Sequence, residues 1–249
     1  MSAWPDGYGR CVLAQVDSTL SEAARIAPDL SGPTWILAHR QTAPRGRRGR
    51  PWTMPVGNFA ATLVMPLAEP PGQAALRSFV VSLALYEAFV AATGRAEAFA
   101  LKWPNDVLLR GGKVAGILLE TIATGGRTSH LAIGVGINLA TAPDVAEVEA
   151  GATRPVALRS ELAVDIAAED FLDLLAQSYA RFEDQFVTYG FAPIRTAWLA
   201  HAARLGEPIT ARTTRDVHHG TFADVDDSGQ LVLETQHGRM TIPAGDVYF

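Results

Sequence analysis

Residues 99–121 read FALKWPNDVLLRGGKVAGILLET. Phe99–Trp103 reads as a short strand, and Pro104-Asn105-Asp106 breaks it. Val107–Leu109 and Lys113–Thr121 then form two apolar arms around Arg110-Gly111-Gly112, the signature of a tight hairpin. Lys102 closes the first strand and Lys113 opens the last arm. Two ammonium groups can thus converge on one site from adjacent strands, holding a carboxylate and a phosphate as point charges. Attack of one anion on another needs such neutralisation. Gly116 leaves strand backbone bare for a ligand. A surface hairpin with solvated lysines fits the same residues.

Working outward, strands are expected at Cys11–Val16, Trp35–His39, Asn58–Met65 and Leu131–Leu139. A helix over Leu20–Ala27 starts from Thr19 and Glu22 at capping-box spacing. Gly72–Thr93 reads as a buried helix capped by Gly94. Ala140–Leu162 has little pattern. Asp165–Tyr189 and Pro193–Leu205 are amphipathic helices. From Glu207 the texture changes to short alternating runs (Ile209–Thr213, Gly220–Val225, Leu231–Glu234, Arg239–Ile242). These predict a small β-barrel that docks on the rest, since so short a segment builds little core alone. The fold class is α+β (or α/β): a mixed sheet flanked by helices over 1–205, then a β unit over 206–249.

Between the second and third strands lies Arg45-Gly46-Arg47-Arg48-Gly49-Arg50-Pro51-Trp52, with four guanidiniums in six residues. Their repulsion predicts a free loop that is extended or disordered, and that an anion would settle. Arginine forks bind phosphate oxygens in pairs, and glycines let backbone N–H groups approach. Trp52 can stack on a base or on an arginine. The segment alone fits a small-molecule phosphate, nucleic acid or a solvated charged loop. A dinucleotide fingerprint is excluded, because Pro51 intervenes and no helix follows. In Gly134-Val135-Gly136-Ile137-Asn138, small residues again permit close approach. The Asn138 amide can read a base or ribose, or simply end a strand.

The whole chain has 249 residues, 48% hydrophobic and 19% charged, which supplies a full core and argues against global disorder. Its net charge of −5 restricts any nucleic-acid binding to a local patch. One cysteine, Cys11, excludes an internal disulfide framework and reads as a small apolar strand residue. The N-terminus lacks the pattern of a secretory signal, and the uncharged run 51–68 is too rich in proline to span a membrane. The expectation is a cytoplasmic protein.

Together these segments resemble the biotin protein ligases. Asp17-Ser18-Thr19, Gln41 with the 45–52 loop, Lys102–Asp106, Lys113–Glu120 and Gly134–Asn138 occur in that family's order and at about its spacing. The resemblance implies the class II synthetase-like biotin/lipoate ligase fold with an SH3-like C-terminal barrel. It implies that biotin and ATP, with Mg²⁺ carried by the nucleotide and no protein-bound metal, give biotinyl-5′-adenylate. A lysine of a biotin carboxyl-carrier domain then takes the biotinyl group. Carried over by position, Ser18, Thr19, Leu20 and Gln41 line the biotin head, together with Arg45, Gly46, Arg47 and Gly116. Arg45, Arg47, Arg50, Trp52, Asn105 and Asn138 serve the nucleotide, and Lys102, Lys113 and Arg47 are the catalytic cations.

Three positions depart from the family pattern. Pro44 stands where its loop usually has a first glycine, Leu20 replaces an asparagine, and Gly57 and Asn58 are adjacent. The first strand starts near residue 10, which leaves no room for an N-terminal helix-turn-helix, so no DNA binding is expected. A homodimer is compatible with this reading. A lipoate ligase on the same fold is the alternative, and a nucleic-acid binder using the arginine loop a remoter one.

Overall fold

The computed structural model describes residues 4–49, 52–144 and 152–249, without the side chains of Arg48 and Thr124. Seven strands form one mixed sheet: β1 Gly9–Leu13, β2 Thr34–Ala38, β3 Phe59–Pro66, β4 Phe99–Lys102, β5 Asp106–Leu109, β6 Gly112–Thr124 and β7 Arg127–Ile137. Their order is β1-β2-β3-β7-β6-β5-β4. Only β1 and β2 run parallel; every other pair is antiparallel.

The two-residue side-chain period sorts this sheet into two faces. Phe59, Ala61 and Leu63 of β3, with Leu131, Ile133, Val135 and Ile137 of β7, enter the large core. There they meet the helices Arg77–Thr93 (α3) and Ala168–Tyr189 (α5). Opposite sits helix α1, Thr19–Ile26, whose Leu20 and Ala23 pack on Ile36, Val64 and Ala132. Arg77 and Glu183 join α3 to α5 through a buried ion pair at 2.7 Å. α3 with the short helix before it is apolar and long enough to span a bilayer, but 67% of its most apolar window is buried inside the protein. It is a core helix.

Five further strands, β8 Pro208–Arg212, β9 Val217–Val225, β10 Leu231–Thr235, β11 Gly238–Ile242 and β12 Asp246–Tyr248, form an antiparallel sheet ordered β11-β10-β9-β8-β12. Its apolar residues, among them Phe222, Val225 and Leu233, belong to the same core as the large sheet. Trp103 donates from Nε1 to the carbonyl of Gly229 at 3.0 Å, and Arg195 binds Asp224 at 2.5 Å. The docking expected of a small β unit is therefore realised.

Several sequence expectations need correction. The capping box does not form: Ser18 is the N-cap, Thr19 turns its hydroxyl to Gln41, and Glu22 pairs with Arg25. The long apolar helix splits at Leu76 into Pro71–Ala75 and α3, although Gly94 caps it as expected. β6 and β7 extend to a hairpin at Gly125-Gly126 that was not anticipated. β12 and the short helix Leu158–Leu162 were also missed, each being too short for periodicity to mark. The hairpin turn itself is as read, with Arg110 and Gly111 both at positive φ. Lys102 and Lys113 are not on adjacent strands, because β5 runs between β4 and β6. Cys11 is half-buried in the edge strand β1, and burial pushes its thiol pKa up, away from reactivity.

Candidate functional site

A cavity of about 630 Å³ opens on the α1 face of the large sheet. Its floor follows from register. Ala60 of β3 lies opposite Gly136 of β7, which lies opposite Gly116 of β6, which lies opposite Asp106 of β5. Three small residues in one cross-strand row leave the backbone bare where neighbouring rows carry side chains. Leu20 packs over Gly134 in the next row: a Cβ there would sit 3.0 Å from its side chain.

Trp52 lies along the bare row. A Cβ on Gly136 would stand 2.7 Å from its indole, and one on Gly116 3.3 Å. The close approach inferred from the glycines is thus made by Trp52 of the protein's own loop. The Lys113 ammonium sits 5.7 Å from the centre of that indole and bonds Asp106 at 2.7 Å.

At one end, α1 begins beside Gln41. The Thr19 backbone N–H and hydroxyl both donate to Gln41 Oε1, at 2.7 and 3.2 Å. Thr62 of β3 donates to the Thr19 hydroxyl at 2.8 Å. Arg45 crosses above, reaching Ser21 at 2.8 Å and Ser18 at 3.3 Å. Its guanidinium forks onto Glu120 with contacts of 3.2 and 2.8 Å.

At the other end stand Lys102, Asn105 and Arg47. Arg47 donates to Asn105 at 3.0 Å and meets Asp246 of β12 at 3.5 Å. The Asn105 amide donates to Ile117 O at 2.6 Å, pinning the turn between β4 and β5. Lys102 is buried, donates to Thr153 at 2.6 Å and faces the Phe249 ring at 4.8 Å. Burial holds its pKa below the ordinary lysine value; Asp106 and Asp246 oppose that shift and Lys113 adds to it. Asn138 is buried against Asn58, whose oxygen accepts from the Ala140 and Thr141 amides.

The cavity therefore gathers Ser18, Thr19, Leu20, Gln41, Arg45, Gly46, Arg47, Trp52, Lys102, Asn105, Lys113, Gly116 and Asn138 on one lining. Arg50 lies outside the described residues. The 45–49 segment is not the extended loop that repulsion predicted: it carries a 3-10 turn over Arg47–Gly49, and Glu120 and Asp246 face two of its guanidiniums. Sequence reasoning missed Asp106, Glu120, Thr62, Thr153, Asp246 and Phe249 as site residues. The first two lie inside motifs already singled out, while the others carry no local signal. Among the described residues no group of three or more His, Cys, Asp or Glu is placed to hold a metal.

This fold and site define a class of protein that sets a bare sheet row opposite a basic loop, a geometry able to enclose a small anion. A family model described as "Biotin/lipoate A/B protein ligase family" matches residues 12–138, and one for the "Biotin protein ligase C terminal domain" matches 205–249. The chain is 56% identical to a biotin–[acetyl-CoA-carboxylase] ligase of Paracoccus denitrificans, over 96% of this chain and 99% of that protein. It is 31% identical to the bifunctional ligase/repressor BirA of Bacillus subtilis, over 95% and 71%. A biotin protein ligase of Aquifex aeolicus, solved with biotin and ATP, superposes with a TM-score of 0.81 at 24% identity, covering 96% and 97% of the two chains. The chain belongs to the biotin/lipoate A/B protein ligase family, and its nearly full-length likeness is to the biotin protein ligases within it.

Proposed function

We propose that this protein activates biotin with ATP and transfers the biotinyl group to a lysine of a biotin carboxyl-carrier domain, that of an acetyl-CoA carboxylase. The observation that carries the proposal is the 56% identity, over nearly the whole of both chains, to a ligase of that name.

In the first step a biotin carboxylate oxygen attacks the α-phosphorus of MgATP. The bond to the β-phosphate oxygen breaks, and pyrophosphate leaves with the electron pair. In the second step the neutral carrier amine attacks the acyl carbon and AMP departs. Magnesium arrives with the nucleotide as substrate.

The residues divide accordingly. Ser18, Thr19, Leu20 and Gln41 hold the biotin head, and Gly116 supplies bare pocket backbone beside it. Arg45, Gly46, Arg47, Arg50 and Lys113 take the carboxylate and α-phosphate. Lys102 offsets the charge that builds on the phosphate oxygens. Asn105, Asn138 and Trp52 serve the nucleoside. Residues 1–205 form the catalytic unit and 206–249 the C-terminal one, in a cytoplasmic enzyme. A cavity of about 630 Å³ and the net charge of −5 favour a small ligand over nucleic acid.

The test is mass spectrometry of a carrier domain incubated with the protein, MgATP and either biotin or lipoate. Addition of a biotinyl group to one lysine is expected. A lipoyl adduct, or tight nucleic-acid binding with no biotin-dependent pyrophosphate release, would refute the proposal.

A further inference from the structure

Thr62 does not line the cavity. It lies under it on β3, fully buried, and its hydroxyl reaches Thr19 Oγ1 at 2.8 Å. A buried threonine needs some partner, so the contact alone says little. The direction of the hydrogen bonds says more.

The Thr19 backbone N–H can only donate. The Gln41 atom it meets at 2.7 Å is therefore the oxygen, Oε1, and not the nitrogen. That oxygen can only accept, so the proton between it and the Thr19 hydroxyl, 3.2 Å away, belongs to Thr19. With that proton spent, the hydroxyl must accept from Thr62. The order is Thr62 to Thr19 to Gln41, and no other arrangement satisfies all three. Two consequences reach the cavity. Gln41 presents its Nε2 group, a donor, against which, among the described residues, the weak acceptor Met54 Sδ lies at 3.5 Å. Thr19 keeps one lone pair as an acceptor.

We propose that Thr62 is a positioning residue: its donated hydrogen bond holds the Thr19 hydroxyl in the rotamer that gives its proton to Gln41, whose amide the Thr19 N–H already orients, so that the pocket end offers one acceptor beside one donor, the complement of the N–H and C=O edge of a cyclic urea. This rests on the proposed function above and deepens it. Biotin carries such an edge, whereas the dithiolane of lipoate has neither group. Without the Thr62 hydroxyl, the Thr19 hydroxyl keeps only its longer contact of 3.2 Å with Gln41 and turns more freely, so the acceptor of the pair loses its fixed direction.

The test compares Thr62→Val and Thr62→Ser in the full chain. Valine keeps the volume and removes the donor. Serine keeps the donor and removes a methyl group. Thr62→Val should weaken biotin and desthiobiotin alike, by about three- to tenfold in Kd by calorimetry, the loss typical of one hydrogen bond. Its KM for ATP and its Tm should stay near wild type. Thr62→Ser should do the opposite, lowering Tm through the lost packing while retaining biotin affinity within about twofold. Wild-type biotin affinity in Thr62→Val, or a serine variant as weak as the valine one, overturns the role of Thr62. Lipoate-dependent pyrophosphate release by the unaltered protein, with none for biotin, overturns instead the reading on which the role rests.

Discussion

Lys102 shows how the catalytic role proposed for a residue can set itself against stability. Its ammonium is buried and its pKa lowered, with Asp106 and Asp246 offsetting part of the burial cost. The folded pKa lies below the unfolded one, so the unfolded chain holds this proton more tightly. The penalty is fully present at neutral pH and fades as pH rises through the interval between the two values. Lys102→Met should therefore leave Tm unchanged or raise it, while slowing biotin-dependent pyrophosphate release by about 100-fold. A thermal melt and a coupled pyrophosphate assay on one preparation decide this; a fall in both refutes it. The alkaline limb of the wild-type rate profile should also fall earlier than for an ordinary lysine. The sequence marked Lys102 through its motif. Its partners Thr153 and Phe249, 51 and 147 positions away, were illegible because tertiary folding alone brings them there.

At the scale of elements, the pocket floor is a property of three strands in register. The small residues of β6 and β7 were legible as sites of close approach. Ala60 as the third member of their row was not, because β3 pairs with β7 across a long stretch of chain. Trp52 as the occupant was equally hidden. A Cβ on Gly136 would stand 2.7 Å from its indole, a contact that forces the ring away. Gly136→Ala should thus weaken biotin by about tenfold, the effect of a forced misfit of 1–3 kcal/mol, without changing the far-UV circular dichroism. Undiminished affinity would show that the seating of Trp52 on the bare row does not shape the ligand site. The capping-box misreading belongs to this scale too. The Thr19 and Glu22 spacing was correct for a cap, but Gln41 and Arg25 compete for those side chains and win.

Across the whole molecule, the two sheets share one core and are tied by Trp103 to Gly229 and by Arg195 to Asp224. The C-terminal sheet is too small to keep its own apolar face dry. Calorimetry should accordingly give a single unfolding transition, with calorimetric and van't Hoff enthalpies in agreement. Two resolved transitions would contradict the shared core. The change of texture near Glu207 announced a separate β unit, and its docking followed from its size. Which of its residues would reach the site was not legible, since β12 is three residues long and carries no period.

That last strand has a consequence for synthesis. Asp246 faces Arg47, and Asp246, Val247 and Tyr248 wall the cavity that α1 and the basic loop begin more than 200 residues earlier. A ribosome delivers β12 after every other part of the pocket has emerged. A chain that has not yet reached β12 lacks both this wall and this counter-charge. The pocket is thereby walled last by the residues made last among those that line it.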